Sequence, residues 1–231
     1  MPGSFVPPSA RRIAAELVGT WGIVVVVVGS GIMAQRLSDD VGVQLLANTI
    51  ATTGGLVMLI TLFSTVSGAQ FNPVVTLVQA VTGRMRWAEV GPFVVAQVAG
   101  ACLGAVTANV MFGLDAVNVS KKLRDGGPII VGEIVATAVL VLLIEGFIRT
   151  GRERFIPAMV AAWITAAYWC TSSTSFANPA VSVGRSLSDT FAGIDPSSLP
   201  MFIVGQFVGG AVGVCVAAAV FGGVVVSGGG D

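Results

Sequence analysis

The stretch "SFANPAVSVGRSL", residues 175–187, decides how this chain is read. Asn178 and Pro179 open it, and a short apolar run follows before Arg185 and Asp189. Asn is a strong helix N-cap, and Pro is preset for the first helical turn. A helix is therefore expected to start at Pro179. It is too short to span a bilayer, which takes about 20 apolar residues, yet the stretch is too apolar for an ordinary surface loop. A second such stretch, "TVSGAQFNPVVTLVQAVTG" at 65–83, carries Asn72-Pro73-Val74 and predicts another short helix from Pro73.

The rest of the chain says what surrounds these half-helices. Of its 231 residues, 54% are hydrophobic and 10% charged, with a mean hydropathy of +0.89. Soluble domains carry about a quarter charged residues, so lipid is the expected solvent. Net charge is zero and histidine is absent. The first fact leaves no electrostatic case for a nucleic-acid partner. The second removes the commonest metal ligand and the usual general base. Cys102, Cys170 and Cys215 are far apart in apolar surroundings and read as buried small side chains rather than a metal site. No cofactor or metal is expected, and nothing resembles a nucleophile beside a base, so an enzyme is not expected.

Six segments are apolar enough to span, near residues 13–34, 42–63, 87–112, 128–148, 156–171 and 199–221. The first is read as a retained helix, and the two ends of the chain as short and mobile. With six spans both termini share a side. That side carries Arg11, Arg12, Arg84, Arg86, Arg149, Arg152 and Arg154, against Arg36, Lys121, Lys122, Arg124 and Arg185 opposite. The excess predicts cytoplasmic termini. Trp87, Trp163 and Trp169 are candidates for interfacial belts, and Glu145 for the interface.

The two halves of the chain echo each other, as one unit over 1–231 with repeats at about 10–114 and 127–223. Glu16 answers Glu133, "NPVVTLV" at 72 answers "NPAVSVG" at 178, and "AQVAGACLGA" around Gln97 answers "GQFVGGAVGV" around Gln206. Three spans per half insert the second half upside down, an architecture frequent among channels and transporters. The half-helices then meet N-terminus to N-terminus near the midplane, where irregular backbone is tolerated only if buried or lining a wet cavity. Each N-terminus carries roughly +0.5 of a charge. Together they repel cations and orient water against proton conduction. The Asn72 and Asn178 amides are placed to donate to a passing oxygen, which suits a neutral solute.

These residues resemble the aquaporin and aquaglyceroporin (major intrinsic protein) family over nearly the whole chain. The resemblance implies an all-α membrane protein of six spanning helices and two re-entrant half-helices, a homotetramer in the inner membrane with one pore per subunit. It implies midplane motifs at Asn72, Pro73, Val74 and Asn178, Pro179, Ala180, and a loop-supporting role for Glu16 and Glu133. Val181 stands where most of the family has Arg. The other filter positions fall by spacing on Thr52, Ala166 and Ser175, with Thr165 or Ala167 replacing Ala166 if the spacing differs by one residue. This set is small and uncharged and predicts a wide aperture. The run 173–194, "STSFANPAVSVGRSLSDTFAGI", is similar to a bacterial subgroup associated with arsenic resistance.

The expected activity is passive flow of water and small uncharged solutes such as glycerol, with arsenous acid or methylated arsenicals as a specific candidate. Arg185, one turn beyond Val181 on the same helix face, is the residue that could narrow the vestibule instead. The rival readings are an ion- or proton-coupled transporter, which needs a carboxylate on the path, and a closed junction-forming protein.

Overall fold

Lipid offers a backbone no water to bond to, so apolar segments fold as helices whatever their β-branched content. The computed structural model describes residues 8–222. The expectation of mobile ends, at 1–10 and 227–231, falls outside that range except for residues 8–10, which open α1. The helices are α1 (Pro8–Leu37), α2 (Val41–Phe63), α3 (Pro73–Val81), α4 (Trp87–Met111), α5 (Gly127–Arg149), α6 (Ile156–Cys170), α7 (Pro179–Arg185) and α8 (Leu199–Phe221). Among the described residues five helices are long and apolar enough to cross a membrane: α1, α2, α4, α5 and α8. At 15 residues, α6 is about 22 Å long. A 3-10 turn at Glu153–Phe155 leads into it, and residues 171–178 continue from it back toward the midplane.

The order of two helices, a half-helix and a long helix occurs twice, as α1–α4 and α5–α8, with α6 the shorter counterpart of α2. Small residues seat the long helices. A methyl group added at Gly100 or Gly104 would collide with the Leu17 and Trp21 carbonyls of α1. At Gly209 and Gly213 it would come within 2.5 Å of the Ile134 and Ala138 carbonyls of α5. Each half is thus closed by glycines that let one backbone lie against another.

Several expectations change. Cys170 and Cys215 are exposed and Cys102 is half-buried. A thiol is apolar enough to face hydrocarbon, so lipid relieves the pressure to bury it. Trp87 and Trp169 are exposed near helix ends, but Trp163 packs against the core and donates to the Ala136 carbonyl at 2.9 Å. Glu145, near the end of α5, is fully buried in the protein. It accepts from Arg84, which follows α3, and from Arg149 at 3.2 Å. Two guanidinium groups compensate the buried charge.

Replacing Gly104 by Leu should strip folded protein from detergent extracts, because backbone cannot yield as a side chain can. Gly91→Ala, with nothing within 4 Å of the added methyl, should leave the yield unchanged. Size-exclusion profiles of the two variants decide it, and a normal profile for Gly104→Leu would sink the packing argument.

Candidate functional site

The site is built by two re-entrant loops with the same backbone. In the first, Ala69 and Phe71 adopt left-handed φ values of 48° and 50°. In the second, Ser175 and Ala177 do so at 51° and 49°. Such conformations cost about 1–3 kcal/mol each in non-glycine residues and persist only where the surroundings over-determine them. The surroundings here are carboxylates. Glu16 accepts from Gln70 N–H (3.0 Å) and Phe71 N–H (2.6 Å), and from Ser67 (2.6 Å) and Gln97 (2.7 Å). Glu133 accepts from Phe176 N–H (2.8 Å), Ala177 N–H (2.9 Å) and Gln206 (2.6 Å). Both glutamates are fully buried. Gln97 bonds onward to Thr76 of α3, and Gln206 to Ser182 of α7. Each carboxylate thus ties a loop, a half-helix and a spanning helix together.

With their N–H groups turned to the glutamates, the loops deliver the two asparagines to one another. Asn72 Oδ1 accepts from Val74 N–H at 2.9 Å, and Asn178 Oδ1 from Ala180 and Val181 N–H at 3.0 and 3.2 Å. Pro73 and Pro179 begin the two half-helices. The Asn72 amide donates to the Ala177 carbonyl at 2.7 Å, and the Asn178 amide to the Phe71 carbonyl at 2.8 Å. Each amide has a second N–H. Both asparagines line a cavity of about 730 Å³.

That cavity begins on the side of the termini, among Arg12, Ser64, Gln79, Arg84, Glu153 and Arg154, and passes the asparagine pair. It ends toward the far side at Thr52, Tyr168, Ser175, Val181 and Arg185. Helices supply an apolar wall that includes Ile23, Val27, Leu56, Ile60, Val75 and Leu140, and the re-entrant loops supply polar groups. Glu153 at the mouth is its one carboxylate among the described residues; Glu16 and Glu133 do not reach it. Val74 and Ala180 are buried behind the asparagines and do not line it.

The filter positions read from spacing divide. Thr52, Ser175 and Val181 line the cavity. Ala166 does not: it sits at an exposed position on α6. Thr165 pairs with Thr53 at 2.5 Å, and Ala167 is fully buried; neither lines the cavity. The helical turn instead presents Ile164 and Tyr168, and the Tyr168 hydroxyl donates to Thr52 Oγ1 at 3.4 Å. Arg185 also lines this end, 3% exposed. So an aromatic side chain and a cation stand at an aperture expected to have neither. Tyr168 is the only tyrosine in the chain, a polar-tipped ring in an apolar span, and that was the available signal.

Over the far mouth, residues 113–126 fold onto residues 186–198. Asn118 N–H donates to the Leu187 carbonyl, and Lys121 N–H to Asp189 at 2.9 Å. Lys122 donates to the Phe191 carbonyl and Arg124 to that of Gly193. Much of Lys122 is exposed, but its ammonium lies against the Phe191 ring. Desolvation, then Arg124 and Arg185, push its pKa down to about 8.

Two facing half-helices and a cavity that runs past both of them define a transmembrane pore protein made of two inverted halves. Residues 6–216 match the family described as Major intrinsic protein. Aquaglyceroporin AqpS of Rhizobium meliloti (strain 1021) is 48% identical over 86% of this chain and 85% of its own. Aquaporin NIP1-1 of Zea mays is 29% identical over 89% and 73%. An aquaglyceroporin from Plasmodium falciparum shares the fold with a TM-score of 0.68 at 19% identity, covering 94% of this chain and 97% of that one. The chain belongs to the major intrinsic protein family: a multi-pass membrane channel for water and small solutes, not an enzyme.

Replacing Glu133 by Gln turns an acceptor toward three donors into a group that must itself donate. A hydrogen bond to a charged group contributes about 1.5–3 kcal/mol, so the second loop should lose its shape and water flux should fall to that of empty liposomes. Full flux in Glu133→Gln would show that the carboxylate does not hold the loop.

Proposed function

We propose that this chain is a passive channel for glycerol and similarly small uncharged polyols as well as water, acting as a homotetramer in the inner membrane with its termini in the cytoplasm. The observation that carries the solute reading is the two-faced cavity. A polyol has a carbon edge and a hydroxyl edge. The apolar wall of Ile23, Leu56, Ile60 and Leu140 suits the first, and Asn72, Asn178 and the loop backbone suit the second. Water alone would need no such wall. The match to a protein named aquaglyceroporin over most of both chains supports the same reading. The tetramer rests on the family resemblance, and the orientation on the seven-to-five excess of Lys and Arg on the side of the termini.

A coupled transporter needs a titrating carboxylate within the path, and Glu153 stands exposed at the mouth rather than near the asparagine pair. Glu16 and Glu133 are walled off behind the loops with their oxygens committed to N–H donors. Passive flow is therefore the reading the geometry favours. Arsenous acid, a small neutral hydroxyl-bearing solute, fits the same chemistry and belongs in the same assay.

The assay is light scattering from proteoliposomes challenged with water, glycerol and arsenous acid gradients. Native protein should pass glycerol well above empty liposomes, with a rate that a pH gradient does not alter. Val181→Arg should lower glycerol flux selectively, since a second guanidinium would crowd the ring that already holds Arg185. Glycerol flux driven by a pH gradient would overturn the passive reading, and water flux without glycerol would overturn the polyol reading.

A further inference from the structure

At the far end of the cavity one side chain combines full burial with unspent bonding capacity. Arg185 is 3% exposed and lines the cavity. Its Nε donates to the Ala192 carbonyl, and its guanidinium carbon lies 3.3 Å from the centroid of the Phe176 ring. Phe176 is in turn packed edge-on against Phe202 at 5.0 Å. These contacts fix the plane of the guanidinium. They use one of its five N–H donors, and the two terminal nitrogens have no hydrogen-bond partner among the described residues.

Ser175 lines the same cavity, and its Oγ is buried with no partner at all. A buried hydroxyl without a partner costs about 1–3 kcal/mol, and a solute or water in the cavity would satisfy it. The Tyr168 and Thr52 hydroxyls, joined at 3.4 Å, complete the ring. The other charges near Arg185 are Arg124, whose guanidinium also lies over Phe176, Lys122 and Glu133. The carboxylate among them is held by its own loop.

We infer that Arg185 is the specificity-determining cation of this channel, acting one helical turn beyond Val181. Its free terminal N–H groups, with Ser175 and the Tyr168–Thr52 pair, form the site where a hydroxylated solute exchanges its water for protein donors. The inference rests on the passive-channel reading. Val181 carries no charge, so Arg185 is the cation at this end of the cavity. A positive charge held among low-dielectric side chains repels cations across a short distance, where solvent screening is weak. A neutral hydroxyl meets donors already aimed at it. The Phe176 stack and the Ala192 carbonyl are the supports that hold the guanidinium in place.

The test compares native protein, Arg185→Gln, Arg185→Lys and the relocated pair Val181→Arg with Arg185→Val in proteoliposomes. Erythritol and water fluxes are read by light scattering, and proton entry by a dye inside the vesicles. Arg185→Gln should raise the erythritol-to-water ratio about tenfold, the discrimination a shaped site gives for a small group, and should let protons in. Arg185→Lys keeps the charge and loses the planar fork, so it should exclude protons while passing erythritol. The relocated pair should exclude both, because the cation then sits deeper in the ring. If Arg185→Gln does not fold, the lysine and relocated variants decide the question by the same two readings. A native erythritol-to-water ratio and proton exclusion in the variants would show Arg185 to be a clamp on residues 186–198 only, and would overturn the inference. Native protein that moves neither water nor glycerol faster than empty liposomes would instead overturn the channel reading itself.

Discussion

Everything in this channel depends on two carboxylates that never meet the solute. A pore through lipid needs polar groups at the midplane, and the loops that supply them have backbone amides with no helix to satisfy them. Glu16 and Glu133 take those amides. Their neighbours Gln97 and Gln206 extend the hold to Thr76 and Ser182 on the half-helices. The charge is expensive to bury, and four donors at Glu16 and three at Glu133 offset it. The strained φ values at Ala69, Phe71, Ser175 and Ala177 persist because this bonding leaves no alternative.

The two ends of the cavity use charge differently. On the side of the termini, Arg84 is spent on Glu145, which also holds Arg149 of α5. That trio pins the segment after α3 to α5, a structural use of charge at this mouth. On the far side, Lys122 donates to the Phe191 carbonyl, Arg185 to that of Ala192, and Arg124 to those of Gly193 and Phe191. Only Arg185 among them lines the cavity. The repeat is therefore symmetric at its centre and asymmetric at its mouths, because the glutamate-held loops must match while the exits are free to differ.

What could be read from the chain follows the same division. Asn178-Pro179, Asn72-Pro73, the Glu16/Glu133 echo and the Gln97/Gln206 echo are all local or repeated signals, and they specify the half-helices and the loops. The ring at the far end is not local. Its residues come from α2, α6, the second loop and α7, and a count along the chain from Asn178 back into α6 must cross the irregular residues 171–177. That crossing put Ala166 where the helix presents Tyr168. Arg185 was visible as a residue one turn on from Val181, but its stacking on Phe176 and its bond to Ala192 require two loops to fold over each other. The bond between Glu145 and Arg84 was not legible because the two lie 61 residues apart. The cysteines were expected inside because burial rules for water do not describe a surface bathed in hydrocarbon.

The crossed bonds at the centre have a consequence for how the molecule comes to exist. Asn72 bonds a carbonyl of the second half, and Asn178 a carbonyl of the first. Each half therefore supplies the acceptor that the other half's asparagine uses. A first half made alone would leave the Asn72 amide without the acceptor it has here, and a second half made alone would do the same to Asn178. At the midplane the two loops, each otherwise held by its own glutamate, are thus bonded as a single molecule.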